Sequence, residues 1–133
     1  MIAYVTVGAN DLVAARRFYN AFLLDLGYGL HEGPEGLSYT LPVAKGQRPV
    51  HPDFYVKPPF DGQPASVGNG CMVAFEATSQ AQVRTLHASA LAAGGSDEGA
   101  PGFRTAYSPD FFVAYLRDPQ GNKIALYSSA PLA

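Results

Sequence analysis

Residues 68–127 read GNGCMVAFEATSQAQVRTLHASALAAGGSDEGAPGFRTAYSPDFFVAYLRDPQGNKIALY, and they set out one folding unit in order. CMVAFE, 71–76, is short and apolar, as strands are. Ser79 followed by Gln82 makes a capping-box pattern for a helix start. Val83, Leu86, Ala90 and Leu91 then recur at helical spacing, and Gly94-Gly95 stops the helix. Strands are expected near 103–107, 111–117 and 122–128. Asp118-Pro119-Gln120-Gly121-Asn122 is a strong turn signal between the last two.

Upstream, the same plan occurs once more. IAYVTV, 2–7, reads as a strand, and Asn10 or Asp11 can cap the helix that follows. Leu12, Ala15, Tyr19, Phe22 and Leu26 give the helical stripe, with Gly27 as its stop. Strands are expected near 28–32, 37–43 and 52–57, and PPFDGQPASVGNG, from Pro58 to Gly70, reads as a linker. Setting Tyr4 against Met72 also sets Gly27 against Gly95. The repeat lies in pattern, since the residue identities match poorly. The reading is a single α+β domain: two βαβββ modules forming a curved mixed sheet, a half-barrel, with helices on the outer face. Module 1 covers about 1–58, the linker 59–70 and module 2 about 71–129.

The chain has 133 residues, 47% of them hydrophobic and 15% charged, which suits one globular domain with a real core. The net charge of −2 and the lack of a basic stripe argue against a nucleic-acid partner. No apolar run approaches the ~18 residues needed to span a bilayer, and the start lacks the features of a signal peptide. The lone Cys71 leaves no internal disulfide and fits a reducing compartment, so a cytoplasmic location is expected.

The ordered series of strand, helix, double glycine and terminal Asp-Pro-x-Gly-Asn turn resembles the vicinal oxygen chelate family, which includes glyoxalases, bleomycin-resistance proteins and extradiol dioxygenases. DLVAARRFYNAFLLDLGY, 11–28, resembles that family's first helix and the strand entry after it. The resemblance implies two βαβββ modules around a U-shaped cavity. In metal-dependent members a His on each module's first strand and a Glu in the last strand bind a divalent metal that polarises vicinal oxygens of the substrate. Those motif positions here hold Tyr4, Met72 and Ala125, and the strand that would offer a fourth ligand offers Tyr55 or Lys57. Neutral Tyr is a poor ligand, Met suits soft metals and Ala cannot ligate. The resemblance therefore implies a member without metal or other cofactor. It also implies a homodimer, because family members pair modules across a two-fold axis.

Strand alternation assigns the faces independently. Ala3, Val5 and Val7 should face a helix, leaving Ile2, Tyr4 and Thr6 toward the cavity. Val73 and Phe75 should face the second helix, leaving Met72, Ala74 and Glu76 inward. Ile124 and Leu126 should pack under helices, leaving Lys123, Ala125 and Tyr127 inward. The candidate ligand-binding residues are thus Tyr4, Thr6, Tyr55, Lys57, Met72, Ala74, Arg104, Tyr115 and Ala125. Tyr4 could supply a hydroxyl for acid–base chemistry or simply fill the cavity. Arg104, in PGFRTAY with Tyr107, could hold a carboxylate or phosphate; the plainer expectation pairs it with Glu98 or Asp97. Arg117 is expected to brace the turn, and Glu76 to be solvated. Alternation does not settle the faces of Tyr39, Tyr55 and Tyr115.

His31, His51 and His87 form no cluster in sequence, and each is expected to be solvated or structurally bonded, His87 beside the buried stripe. Cys71 is expected to be a buried, inert thiol. Three functions compete. One is a metal-free protein that binds a small organic molecule in an apolar and aromatic cavity. The second is a glyoxalase- or dioxygenase-type enzyme using unrecognised metal ligands or metal-free acid–base chemistry through Tyr4 or Glu76. The third is a scaffold without a ligand.

Overall fold

The computed structural model describes residues 1–129. Its first module runs β1 (Tyr4–Gly8), α1 (Leu12–Leu23), β2 (Gly29–Gly33), β3 (Gly36–Thr40) and β4 (Asp53–Lys57). The second runs β5 (Val73–Glu76), α2 (Gln80–Ala92), β6 (Ser96–Phe103), β7 (Phe112–Arg117) and β8 (Lys123–Ser128). Each module is a four-stranded mixed sheet, ordered β1-β4-β3-β2 and β5-β8-β7-β6. In each, the first and last strands pair in parallel and the remaining pairs are antiparallel. Two βαβββ modules are therefore present, as two sheets rather than one continuous ladder, and neither is closed into a barrel.

The helices begin where the caps place them. Asp11 Oδ1 accepts from the Ala14 amide at 3.0 Å, and Ser79 Oγ accepts from the Gln82 amide at 3.0 Å. Gln82 reaches back to the Thr78 amide at 2.8 Å, one residue outside the usual box. The cap residues Asp11 and Ser79 are 68 residues apart, the offset that sets Tyr4 against Met72. The left-handed stops are Gly27, at φ +97°, and Gly94, at φ +106°, so the second falls one residue earlier than Gly95.

Phe18, Tyr19, Phe22 and Leu23 of α1 and Val83, Leu86 and Ala90 of α2 are buried against the helix-side faces of the sheets. Phe75 of β5 joins the modules, its ring meeting Phe54 at 5.1 Å, Phe22 at 5.8 Å and Tyr28 at 5.9 Å, each steeply inclined. Edge-to-face contacts of this kind add about 0.5–1.5 kcal/mol each to area burial.

A second tie is polar. The Asp118 carboxylate accepts from the Gln120, Gly121 and Asn122 amides at 2.8–3.0 Å, which fixes the turn between β7 and β8. Asn122 Nδ2 reaches the Gly8 carbonyl at 2.9 Å, and Gln120 Oε1 accepts from the Asn10 amide at 2.9 Å. Arg117 braces the same turn by donating to the Gly121 carbonyl at 2.9 Å.

One strand differs from the sequence reading. The strand expected near 103–107 is β6, which occupies Ser96–Phe103, while Arg104–Tyr107 form a turn closed by the Tyr107 amide on the Arg104 carbonyl. SDEGAPGF has little β-propensity, but β6 is an edge strand with two register shifts along β7. An edge position tolerates Pro101, because its missing N–H costs no ladder bond.

Candidate functional site

The candidates of β1 and β5 stand exposed on the sheet face turned away from the helices, whereas Ala125 of β8 is buried, Met72 precedes β5 and Arg104 follows β6. In β1, Val5 and Val7 pack on the core while Tyr4 and Thr6 are exposed. In β7, Phe112, Ala114 and Leu116 lie in the core, so Tyr115 belongs to the open face. Tyr39 is a core residue whose hydroxyl donates to Asn20 Oδ1 at 2.8 Å.

On the first sheet, the register lines up Thr6, Tyr55, Ser38 and His31 across four strands. The Tyr4 ring leans on Tyr55, with centroids 5.3 Å apart. The Tyr55 hydroxyl points to Asp53 Oδ2 at 3.4 Å, and partial burial together with the Asp53 charge raises its pKa above the ordinary tyrosine value. An open groove of about 340 Å³ runs over His31, Ser38, Tyr55 and Lys57. Lys57 also edges a neighbouring groove of about 370 Å³ with Thr6 and the fully exposed Phe60. Only glycine fits at Gly36 beside this face: φ is +145°, and a Cβ there would stand 2.5 Å from the Val56 carbonyl.

On the second sheet, Ala74, Ala125, Tyr115 and Gly99 form the equivalent row. Ala125 is 1% exposed, so a ligand reaches its methyl group only after its neighbours move. Arg104 does not pair with Glu98 or Asp97. Glu98 holds Arg117 Nε at 2.6 Å, and Asp97 faces His87. Arg104 instead donates to the carbonyls of Ala100 and Phe103 at 3.0 and 3.4 Å and lies over the Tyr115 ring. Tyr107 is 71% exposed in the turn that follows. Met72 borders a hollow of about 650 Å³ with Val67, Arg117 and Lys123. Between the modules, a cleft of about 350 Å³ collects Tyr28, His51, Asp53, Ala74 and Glu76. Of the nine candidates, Thr6, Tyr55, Lys57, Met72 and Ala74 border these depressions, and they are divided among four of them.

The positions at which metal-dependent relatives would ligate do not suit a divalent ion. Tyr4 is 61% exposed and stacked on Tyr55, Met72 offers a thioether and Ala125 offers no donor atom. No group of three His, Cys, Asp or Glu among the described residues is placed to hold a metal ion.

One further residue differs from expectation. Cys71 is exposed: β5 begins only at Val73, and Cys71 lies in a tight turn with its amide on the Gly68 carbonyl. His31 sits within β2. His87 is buried beside the apolar stripe as expected, with Nε2 3.2 Å from Asp97 Oδ1 but not aligned for a hydrogen bond. The sequence reading placed Lys123 on the open face without counting it as a site residue. The structure sets its ammonium 5.1 Å from the centre of the Tyr115 ring.

Two βαβββ modules with a terminal Asp-Pro-x-Gly-Asn turn define a vicinal oxygen chelate architecture. A crystal structure of a glyoxalase/bleomycin resistance protein from Albidiferax ferrireducens T118 superposes with a TM-score of 0.82 at 38% identity, covering 98% of this chain and 99% of that one. This chain belongs to the glyoxalase/bleomycin resistance protein family. A glyoxalase-related enzyme from Fulvimarina pelagi has a TM-score of 0.71 at 20% identity, covering 96% of this chain and 87% of that one. A lactoylglutathione lyase from Agrobacterium tumefaciens has a TM-score of 0.63 at 18% identity, covering 96% and 92%. These two share the fold. No family sequence profile and no curated protein matches the chain. Among the described residues, no helix is long and apolar enough to cross a membrane.

Proposed function

We propose that this protein is a metal-independent member of its family that binds a small organic molecule on the open faces of its sheets. The carrying observation is the joint replacement of the family's ligand positions by Tyr4, Met72 and Ala125, with Ala125 closed into the sheet. The surrounding groups are those that hold organic ligands: the Tyr4–Tyr55 ring pair, the exposed Met72 and Tyr115 on the open face. A cytoplasmic homodimer completes the proposal. It rests on the habit of the family and on two-fold symmetry being the commonest assembly.

Elemental analysis of protein purified without added metal, paired with native mass spectrometry, tests the reading. The expected result is less than stoichiometric zinc, nickel, manganese or iron, with a small molecule retained. Hemithioacetal isomerisation should stay at background with or without added metal. About one metal per chain, lost on mutating Tyr4 or Met72, would reject the proposal. Light scattering at micromolar concentration should return a dimer mass, and a monodisperse monomer would remove that part.

A further inference from the structure

Three cations stand on the open face of the second sheet: Arg104, Arg117 and Lys123. Arg117 is neutralised by Glu98. The other two are not. Among the described residues the ion pairs are Arg16–Glu32 and Arg117–Glu98, beside the His87–Asp97 contact, and none includes Arg104 or Lys123. Both instead lie against one ring: Arg104 Cζ is 5.7 Å and Lys123 Nζ 5.1 Å from the centre of Tyr115. Contact with a ring is a weak substitute for a counter-ion, and two like charges on one ring repel each other.

The local chain is shaped to hold them there. At Gly99 a Cβ would stand 2.9 Å from Tyr115 Cδ2, and at Gly102 one would stand 3.1 Å from Arg104 Nη1. Bulged, glycine-rich β6 therefore leaves the space in which Arg104 lies down on the sheet. The Ala100 and Phe103 carbonyls occupy part of its donor fork and orient it. Arg carries five N–H donors and Lys three, so donors remain for a ligand. Lys123 also edges the hollow of about 650 Å³ whose apolar walls include Val67 and Met72. Lys123, a cation lacking an acid partner, thus edges a hollow of ordinary ligand size, and Arg104 shares the Tyr115 ring with it.

We infer that Lys123 and Arg104, both set against the Tyr115 ring, form the anion-recognition end of the ligand site, and that the ligand is an organic carboxylate whose apolar body lies in the hollow beside Met72. This rests on the organic-ligand reading above and narrows it to acids.

Isothermal titration of the intact protein with 2-naphthoate and with its uncharged counterpart 2-naphthamide tests the inference. The acid should bind at least tenfold more tightly than the amide, and more weakly as salt rises. Lys123→Gln and Arg104→Gln, each shown folded by thermal denaturation, should each weaken the acid about tenfold and leave the amide unchanged. Should one variant fail to fold, Arg104→Lys, which keeps charge but loses the fork, gives the second reading of the same contact. Equal binding of acid and amide, or acid binding indifferent to both substitutions, overturns the inference and leaves the organic-ligand reading standing. Binding of neither compound overturns both.

Discussion

The Tyr19 hydroxyl, on the first helix, donates a 2.6 Å hydrogen bond to Asp118 Oδ2 in the last turn of the second module. Both residues are buried. The carboxylate sits in the Asp-Pro-x-Gly-Asn turn, so one side chain both shapes that turn and receives the other module. Tyr19→Phe should cost about 1.5–3 kcal/mol, the usual range for a hydrogen bond to a charged group. Urea denaturation at pH 7 measures it, and a loss under 0.5 kcal/mol would show the bond to be incidental.

The same bond carries an alkaline signature. Burial, then the Asp118 charge, raise the Tyr19 pKa well above its ordinary value, and burial raises Tyr39 as well. As pH climbs past about 10, the unfolded chain sheds these protons while the folded one keeps them. Stability is therefore complete below pH ~10 and declines above it. Tyr19→Phe should flatten that decline, with Tyr39, Tyr28 and Tyr55, whose pKa values are also raised, contributing to what remains. An unchanged slope between pH 9 and 11 would contradict the assignment.

Phe75 is the apolar counterpart of this tie. Its ring meets partners from β4, α1 and the residue preceding β2. Phe75→Ala should cost about 3–5 kcal/mol. Because those partners all lie in module 1, the variant should also unfold over a broader range, with near-ultraviolet circular dichroism melting ahead of the far-ultraviolet signal. Coincident transitions would show that Phe75 is not what couples the modules.

Gly36→Ala should be among the most damaging of small changes. The new Cβ would meet the Val56 carbonyl at 2.5 Å and Lys57 Cβ at 2.7 Å, with φ in a region alanine avoids. A loss of at least ~2 kcal/mol is expected from strain and the broken β3–β4 approach. Gly46→Ala, at φ +80° with no atom near its Cβ, is the control and should cost less.

Ala125→Phe examines the open face of the second sheet. Ala125 lies opposite Ala74 and Tyr115 but is nearly sealed. Overpacking there should cost about 1–3 kcal/mol and push the Tyr115 ring outward. Binding of 2-naphthoate should fall with it. A stable variant that binds the acid as well as the parent would separate Tyr115 from the site.

The fold was largely legible because its determinants are local. Asp11, Ser79 and Gly27 mark helix ends by chemistry that acts within a few residues, and the alternation in β1, β5 and β8 assigned Tyr4, Ala74 and Lys123 to the open face. The misreadings fall where tertiary context decides. β6 is a strand because β7 pairs with it, despite Gly99, Pro101 and Gly102. Cys71 is exposed because the linker turn persists two residues past the apparent strand start. Long-range pairing hid most of the candidate site: nothing in the sequence ties Arg117 to Glu98 and so leaves Arg104 without an acid partner. Periodicity marks faces but not depth, so the near-complete burial of Ala125 could not be read from it.

The Tyr19–Asp118 bond also sets an order in time. A ribosome lays down Tyr19 ninety-nine residues before the acceptor that satisfies it, roughly 5–20 s of elongation at bacterial-to-eukaryotic rates. Until Phe75 is added the emerging first half lacks the ring that covers Phe22 and Phe54, and until Asp118 is added it lacks its polar partner. The nascent half-protein thus carries an exposed aromatic surface, and its passage to the native state waits on nearly the whole chain. Such an intermediate is a natural client for chaperones during synthesis, and it would also accept the second half of a neighbouring nascent copy.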